Sequence, residues 1–217
     1  MHVAIYSDVV CPWCSIGKTR FENALAALPE QDRARVTYSW MPYQLDPAAS
    51  STATPVIEGY AKKFGSEQKA AEIIAHVTAT AATEGITFRM DRALRANTFD
   101  AHRLLWLALH TYGADVQTAL KNALLAAYFH DGLNIADHGV LAEIAVAAGL
   151  DGPTATAFLA SDDGAAEVRA EIGEASAMGI SAVPTFVING EWSIPGAQDT
   201  DTFVRLLTKM LADEVLA

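Results

Sequence analysis

HVAIYSDVVCPWC, residues 2–14, joins a short apolar run rich in β-branched residues to the start of a helical pattern. Residues 2–7 have strand character, and the apolar spacing from Cys11 to Leu28 predicts a helix. Pro29 and a polar stretch interrupt this pattern before residues 36–41, VTYSWM, alternate as a second strand. Because strand–helix–strand crossovers are right-handed, we expect parallel strands, with the cysteine-bearing turn at the carboxyl edge of their sheet.

The middle of the chain has a different pattern. Residues 43–54 are rich in Pro, Ala, Ser and Thr, which indicates a loop. Residues 56–178 show almost no strand-like alternation, whereas apolar residues three and four apart predict helices. The expected helices cover residues 56–64, 66–84, 98–112, 114–130, 137–149, 153–160 and 162–178. Their candidate N-terminal caps are Ser66, Thr98, Asp137 and Ser161.

The C-terminal part returns to strand character. Residues 183–189, VPTFVIN, predict a strand, and Asn189-Gly190 is a strong hairpin signal. Residues 191–194 would be the antiparallel partner of that strand. A last helix is expected over residues 199–215, with Asp199 as its cap.

This order of elements predicts an α/β fold with a large α-helical insertion. Residues 1–54 and 161–217 would together form a four-stranded domain. Residues 55–160 would form the helical insertion, lying over one end of the sheet.

Composition and charge narrow the classes of function. Of the 217 residues, 51% are hydrophobic and 19% charged, which is typical of a globular protein. The net charge of −11 would repel phosphate backbones and anionic lipids, so we expect no nucleic-acid or membrane partner. No apolar run is long enough to span a bilayer. The N-terminal residues lack the pattern of a secretory signal, which predicts a cytoplasmic location.

The two cysteines of the chain, Cys11 and Cys14, carry the expected chemistry. At a helix N-terminus, free amides and the helix dipole favour a thiolate, so we expect a lowered pKa for Cys11, the attacking nucleophile. Cys14 lies almost one turn further and would resolve the mixed disulfide formed at Cys11. Pro12 suits the first helical position because it has no N–H to leave unpaired.

Two other interpretations of the pair compete with this one. Cys11 and Cys14 could be half of a zinc site, with ligands among the histidines of the helical block. Those candidates are His102, His110, His130 and His138. The thiols could also be inert and buried. Structural zinc sites usually supply two closely spaced ligand pairs, and the chain shows one, so we predict no metal.

Pro184 stands at the start of a predicted strand, in the sequence GISAVPTF of residues 179–186. A trans proline is awkward inside a strand ladder. A cis Val183–Pro184 bond would resolve this and expose the Val183 backbone to an extended substrate. An ordinary edge-strand proline explains the residue equally well.

Taken together, the motifs resemble those of the DsbA family of thioredoxin-fold oxidoreductases, and most closely its FrnE-like branch. The resemblance rests on CPWC (11–14), VPTF (183–186), Gly196-Ala197-Gln198 and the long helical insertion. The segment NTFDAHR (97–103) matches a pattern shared with 2-hydroxychromene-2-carboxylate isomerases and kappa-class glutathione transferases.

The resemblance implies a role for several residues. Cys11 would be the nucleophile, Cys14 the resolving cysteine and Pro184 a cis-proline packed against them. Pro12, Trp13 and Val183 would contact substrate. Asn97 and His102 would face substrate if the insertion covers the active-site edge. They could instead be structural, Asn97 as a capping residue and His102 as a satisfied partner within the helical block.

The resulting prediction is thiol–disulfide exchange on protein or small-molecule disulfides, with no bound cofactor but with a low-molecular-weight thiol such as glutathione as a candidate co-substrate. The alternatives are a glutathione-dependent isomerase or transferase, and a non-enzymatic interaction module. The alanine-rich helices are compatible with a homodimer, although apolar stripes are more often core. No role is predicted for Asp8, which can be a turn residue, or for Lys18, which can be a solvated helix side chain.

Overall fold

The computed structural model describes residues 1–216, with side-chain environments for residues 1–214. The strands are β1 (His2–Ser7), β2 (Thr37–Pro42), β3 (Thr54–Pro55), β4 (Leu94–Arg95), β5 (Thr185–Ile188) and β6 (Trp192–Pro195). The helices are α1 (Pro12–Ala27), α2 (Glu30–Arg33), α3 (Val56–Phe64), α4 (Glu67–Thr83), α5 (Phe99–Leu107), α6 (Ala114–Ala126), α7 (His138–Ala147), α8 (Gly152–Ala160), α9 (Ala165–Ala177) and α10 (Thr200–Leu216).

Four strands form one mixed sheet in the order β2-β1-β5-β6. β1 and β2 are parallel, with Ile5 opposite Trp40, as the crossover rule predicts. β5 is antiparallel to both β1 and β6. At the β5–β6 turn, Asn189 and Gly190 adopt φ values of 51° and 74°, the left-handed conformations that a tight hairpin requires. The α/β fold class is confirmed.

The sheet buries its two faces against different helices. Alternate residues of a strand point to opposite faces. Val3 and Ile5 therefore join one cluster, which includes Phe21 of α1 and Phe203 of α10. Tyr6, on the opposite face, packs in a cluster with residues from the α9 side of the sheet.

The helical insertion has a core of its own, built mainly from α3–α8. Leu104, Leu120 and Leu124 are fully buried in it. Val9 and Ile16, which flank the cysteine pair in sequence, belong to this same cluster. The cysteine turn is thus packed against the insertion, although its helix α1 also packs on the sheet. The domain limits at residues 54 and 160 stay a prediction.

One helix of the insertion is joined to the sheet through its edge strand. Gln117 of α6 accepts a hydrogen bond from the Trp40 backbone N–H (2.9 Å) and donates one to the Trp40 carbonyl (2.8 Å). The Trp40 indole N–H donates to Thr118 Oγ1 at 3.1 Å. Because a side-chain amide here takes the place of a neighbouring strand, α6 is fixed in register with β2.

Several local expectations need correction. The polar stretch after Pro29 contains the short helix α2, and the insertion contains the two-residue pair β3–β4. Ser161 does not cap α9: it ends α8, and its hydroxyl donates to the Phe158 carbonyl, while α9 begins after Gly164. Thr98 precedes α5, but the capping bond comes from Asn97 Oδ1, which accepts from the Phe99 N–H at 2.8 Å.

The helices expected over residues 98–112 and 114–130 reach these limits, but their last turns are π-helical. α5 and α6 each continue into a π-helical turn, Ala108–Tyr112 and Ala127–Asp131 respectively. In residues 1–216, no helix is both long enough and apolar enough to span a membrane.

Candidate active site

The two cysteines lie where β1 gives way to α1, and both are free thiols. Cys11 caps α1, and its Sγ accepts a hydrogen bond from the Cys14 N–H at 3.3 Å. The Cys11 thiol also faces the Val183 carbonyl at 3.6 Å. Pro12 occupies the first turn of the helix, where its missing N–H leaves no orphan donor. The sequence therefore fixes Cys11 between a helix N-terminus and the strand-entry loop.

A cavity of about 730 Å³ opens at this junction. Cys11, Pro12, Trp13 and Val183 line one side of it, whereas Cys14 is not part of its wall. The side chains that α3 and α4 contribute to the opposite wall include Val56, Tyr60, Phe64 and Val77. Only Cys11 of the pair is therefore reachable from the cavity.

The charged groups at the cavity are mixed in sign. Arg95 forms a close ion pair with Asp46. Lys62 and Lys63 belong to the α3 side of the wall, together with Glu58. The cavity wall thus carries three cations and two anions, which is a local excess of positive charge on a protein of net charge −11.

The prediction of a lowered Cys11 pKa is wrong, because the structure raises this pKa. Burial is the largest influence and raises the pKa of the Cys11 thiol, because only 3% of its surface is exposed. The neighbouring Cys14 sulfur and the Asp8 carboxylate raise it further, and the Cys14 amide opposes them. The helix N-terminus acts as predicted, but desolvation outweighs it.

Cys14 shows the opposite shift. Burial again raises the pKa of its thiol, but the hydrogen bond with Cys11 and the positive charge of Lys121 outweigh burial and lower it. The negative charge of the reduced pair is therefore favoured on the inner sulfur. Lys121 was not predicted to take part, because a single lysine in the helical sequence ADVQTALKNALLA is typical of a solvated face.

Asp8 is a second buried ionisable group that sequence reasoning left without a role. It has no exposed surface. Its carboxylate accepts from the Leu45 N–H at 2.7 Å and lies 3.2 Å from His102 Nε2. Asp8 is thus a turn residue, since its carbonyl also accepts from the Cys11 N–H, and in addition a fixed carboxylate beside the cysteines.

The structure does not bring His102 or Asn97 into the cavity. His102 is 1% exposed and directs its ring at Asp8, so it is a satisfied buried partner. Asn97 uses its amide to hold the preceding loop, donating to the carbonyls of Pro47 (3.2 Å) and Ala49 (2.9 Å). Both residues have the structural function that the sequence left open as the alternative.

Arg103 completes this structural segment. Its guanidinium is buried and donates to the carbonyls of Phe158, Ser161 and Asp163 at 2.6–3.0 Å. It also donates to Asp100 Oδ1 at 2.9 Å. The segment from residue 97 to 103 therefore ties α5 to the α8–α9 loop.

Pro184 packs directly on α1. The Val183–Pro184 peptide bond is cis. A Cβ built on Gly17 would lie 2.9 Å from Pro184 Cγ and 3.2 Å from Ala197 Cβ. Gly17 is therefore the point at which α1 approaches the loop that faces Cys11. Among residues 1–216, the His, Cys, Asp and Glu side chains form no group of three or more that could hold a metal ion.

Comparison with known proteins places this geometry in a family. A probable DsbA oxidoreductase from Streptomyces coelicolor superposes with a TM-score of 0.88 at 38% identity, over 96% of this chain and 89% of that one. A 2-hydroxychromene-2-carboxylate isomerase shares the fold, with a TM-score of 0.66 at 15% identity over 97% and 94% of the two chains. The uncharacterised protein YwbO of Bacillus subtilis is 28% identical over 96% of each chain.

The family assignment rests on nearly the whole chain. The DSBA-like thioredoxin domain model matches residues 2–208, which include the cysteine pair, the insertion and the Pro184 loop. The resemblance noted in the motifs is thereby confirmed, as is the thioredoxin fold with a helical insertion. This chain belongs to the DSBA-like thioredoxin domain family.

Proposed function

We propose that the protein is a thiol–disulfide oxidoreductase in which Cys11 attacks the substrate and Cys14 resolves the intermediate. The observation that carries this proposal is the unequal placement of the two sulfurs. Cys11 lines the cavity, and Cys14 lies behind it with 1% of its surface exposed. A disulfide arriving from the cavity can meet only the first sulfur.

The exchange proceeds in two displacements. The Cys11 thiolate attacks one sulfur of a substrate disulfide, forms a mixed disulfide and expels the other sulfur as a thiolate. The Cys14 thiolate then attacks Cys11 Sγ, so that the Cys11–Cys14 disulfide forms and the second substrate thiolate leaves. The substrate gains two electrons and the cysteine pair loses them. Read backwards, the same steps oxidise a substrate dithiol.

Contacts with the substrate are assigned to the cavity side of the cysteine turn. Trp13 is 38% exposed, and with Pro12 it offers an apolar surface beside Cys11. Val183 presents its carbonyl toward Cys11, and Pro184 braces that loop against α1. A peptide or small disulfide lying along this edge would place its sulfur over Cys11.

The test is to trap the intermediate. We expect the Cys14→Ser variant, incubated with glutathione disulfide, to accumulate one glutathione on Cys11, measured by intact-protein mass. The wild-type protein should instead form its internal disulfide, and Cys11→Ser should form no adduct. Failure of Cys14→Ser to accumulate the adduct would contradict the assignment of the two roles.

The reduction potential of the pair is the second measurement. Equilibration in glutathione buffers should give a reversible couple between about −270 mV and −120 mV, the range from thioredoxin to DsbA. Its position within that range indicates whether reduction or oxidation of substrates is favoured. A pair that never forms its disulfide would contradict the proposal.

A second candidate is supported by the charge at the cavity. Lys62, Lys63 and Arg95 would attract the carboxylates of a low-molecular-weight thiol such as glutathione, and Cys11 would then activate or exchange with that thiol. In a glutathione-dependent isomerase or transferase of this kind, Cys14→Ser would retain turnover. In the dithiol enzyme it would abolish turnover. A cytoplasmic location and a homodimer stay predictions.

A further inference from the structure

Lys121 is a buried cation that the proposed exchange steps leave without a task. It lies on α6 and has no exposed surface. Among the described residues, its Nζ has no hydrogen-bond partner. Lysine is almost never fully buried unless it is paired, because an unpaired buried ammonium loses its hydration without compensation. The desolvation cost of burying Lys121 without a partner indicates that this lysine has a function.

The fold prevents Lys121 from reaching solvent. Gln117 lies four residues earlier on the same face of α6 and is bonded to both backbone groups of Trp40. The Lys121 ammonium lies 5.5 Å from the centre of the Trp40 ring. Its neighbours Leu120 and Leu124 share one buried cluster with Val9 and Ile16, which flank the cysteine pair, so this stretch of α6 packs in the same core as the cysteine turn.

The charged and titratable groups that face Lys121 come from the turn between β1 and α1 and from α1 itself. Cys14 has the strongest attractive influence on it, followed by Asp8 and Cys11, while Lys18 repels it. Asp8 is already held by His102 and the Leu45 N–H. Lys18 is paired with Glu22 at 2.6 Å. Of the two facing thiols, Cys14 is the one whose pKa Lys121 lowers, while the pKa of Cys11 is raised, so Cys14 is the thiolate that needs a counter-charge.

We propose that Lys121 is the charge partner of Cys14 and makes it the nucleophile that resolves the mixed disulfide on Cys11, an inference that rests on the proposed function. In the mixed disulfide, the positive charge of Lys121 stabilises the Cys14 thiolate, and the thiol proton passes to solvent. The resulting thiolate attacks Cys11 Sγ and forms the Cys11–Cys14 bond. The bond from Cys11 to the substrate sulfur breaks, and the substrate thiolate leaves with the electron pair and takes a proton from solvent.

The role is one of positioning charge, so its loss should affect the second displacement and spare the first. Removing an opposite charge next to a thiol raises its pKa by about one unit or more. At a pH below the pKa of Cys14, one unit decreases the thiolate fraction, and with it the rate of resolution, by about tenfold. Attack by Cys11 on the substrate does not require the Cys14 thiolate.

The experiment uses reduced full-length protein and excess 5,5′-dithiobis(2-nitrobenzoate), followed by stopped-flow absorbance. Attack by Cys11 releases one thionitrobenzoate, and resolution by Cys14 releases a second. In Lys121→Met we expect the second phase to slow by about tenfold and its pH midpoint to rise by about one unit, while the first phase stays within about twofold. Lys18→Met, which removes a nearby cation already paired with Glu22, is the matched control and should change neither phase.

The outcomes separate this inference from the proposed function. If the wild-type protein releases only one equivalent, resolution by Cys14 fails and the proposed function falls with it. If the wild type shows both phases and Lys121→Met leaves the second phase unchanged, or slows both phases alike, only the role of Lys121 is overturned.

An equilibrium measurement covers the case in which the variant folds poorly. Cys11→Ser leaves Cys14 as the single thiol, whose ionisation is followed by thiolate absorbance. Adding Lys121→Gln to that background should raise the pH of ionisation by about one unit. An unchanged titration would overturn the inference.

Discussion

Gly17 is the position at which one methyl group tests the packing behind the active site. It lies in the interior of α1, where replacing Gly by Ala normally stabilises a helix by about 1 kcal/mol. Here the added Cβ would approach Pro184 Cγ to 2.9 Å and Ala197 Cα to 3.3 Å. The first contact is with a ring atom and the second with backbone, so neither neighbour yields as easily as the end of a flexible side chain.

The expected effect of Gly17→Ala is therefore destabilising. Overpacking of this kind costs about 1–3 kcal/mol, which exceeds the gain in helix propensity. We expect a net loss of about 1 kcal/mol in the free energy of unfolding, or about 2–4 °C in Tm for a chain of this size. Because Pro184 must move, the Val183 carbonyl that faces Cys11 should move with it and shift the pH dependence of Cys11 alkylation.

Gly173 provides the matched control. It also lies inside a helix, α9, but apart from its chain neighbours and the backbone of its own helix no atom lies within 4 Å of a Cβ built on it. Gly173→Ala should therefore stabilise the protein by about 1 kcal/mol and leave Cys11 alkylation unchanged. Urea unfolding of both variants measures the difference. If Gly17→Ala were as stabilising as Gly173→Ala, the close approach of α1 to the Pro184 loop would be refuted.

Three further substitutions probe the buried polar groups. Asp8→Asn should lower the pKa of Cys11, since the Asp8 carboxylate is one of the groups that raise it. The pH dependence of Cys11 alkylation would show this shift, and an unchanged pH dependence would contradict it. Arg103→Lys should lower the free energy of unfolding by about 2 kcal/mol or more, because an ammonium cannot donate to the same set of carbonyls. Urea unfolding would show this loss, whereas the alkylation of Cys11 should stay unchanged. Burial lowers the pKa of Lys121 from 10.5 to about 8, so between these pH values the unfolded chain binds more protons and the stability due to Lys121 rises with pH. Lys121→Met should accordingly have a higher free energy of unfolding than wild type at neutral pH. This difference in the free energy of unfolding should shrink by up to about 3 kcal/mol as the pH rises through that window. A difference that does not change with pH would show that the amine is not desolvated.

The elements that could be predicted from sequence are those with local signals. Asp199 caps α10 by accepting from the Thr202 N–H at 2.7 Å, and the Asn189-Gly190 turn joins β5 to β6. The position of Cys11 at the start of α1 follows in the same way from a strand pattern and a proline. Each of these features depends on residues only a few positions apart, so a short stretch of sequence is enough to predict it.

The features that could not be predicted depend on distant partners. Gln117 and Trp40 are 77 positions apart, and Asp8 and His102 are 94 apart. A lysine at position 121 fits a solvated helix face as well as a buried one until the docking of α6 is known. The prediction of a lowered Cys11 pKa was wrong for a related reason. The sequence shows that Cys11 lies at a helix N-terminus, but it does not show how deeply the thiol is buried.

The environment of the cysteine pair is therefore set largely by the insertion. The α3 and α4 helices form the far wall of the cavity, His102 of α5 orients Asp8, and α6 contributes Lys121. The sheet and α1 supply the sulfurs and hold their spacing. Because the positive charge of Lys121 acts on Cys14 across the contact between the two parts, a change in how α6 docks on Trp40 would alter the ionisation of Cys14 without touching either cysteine.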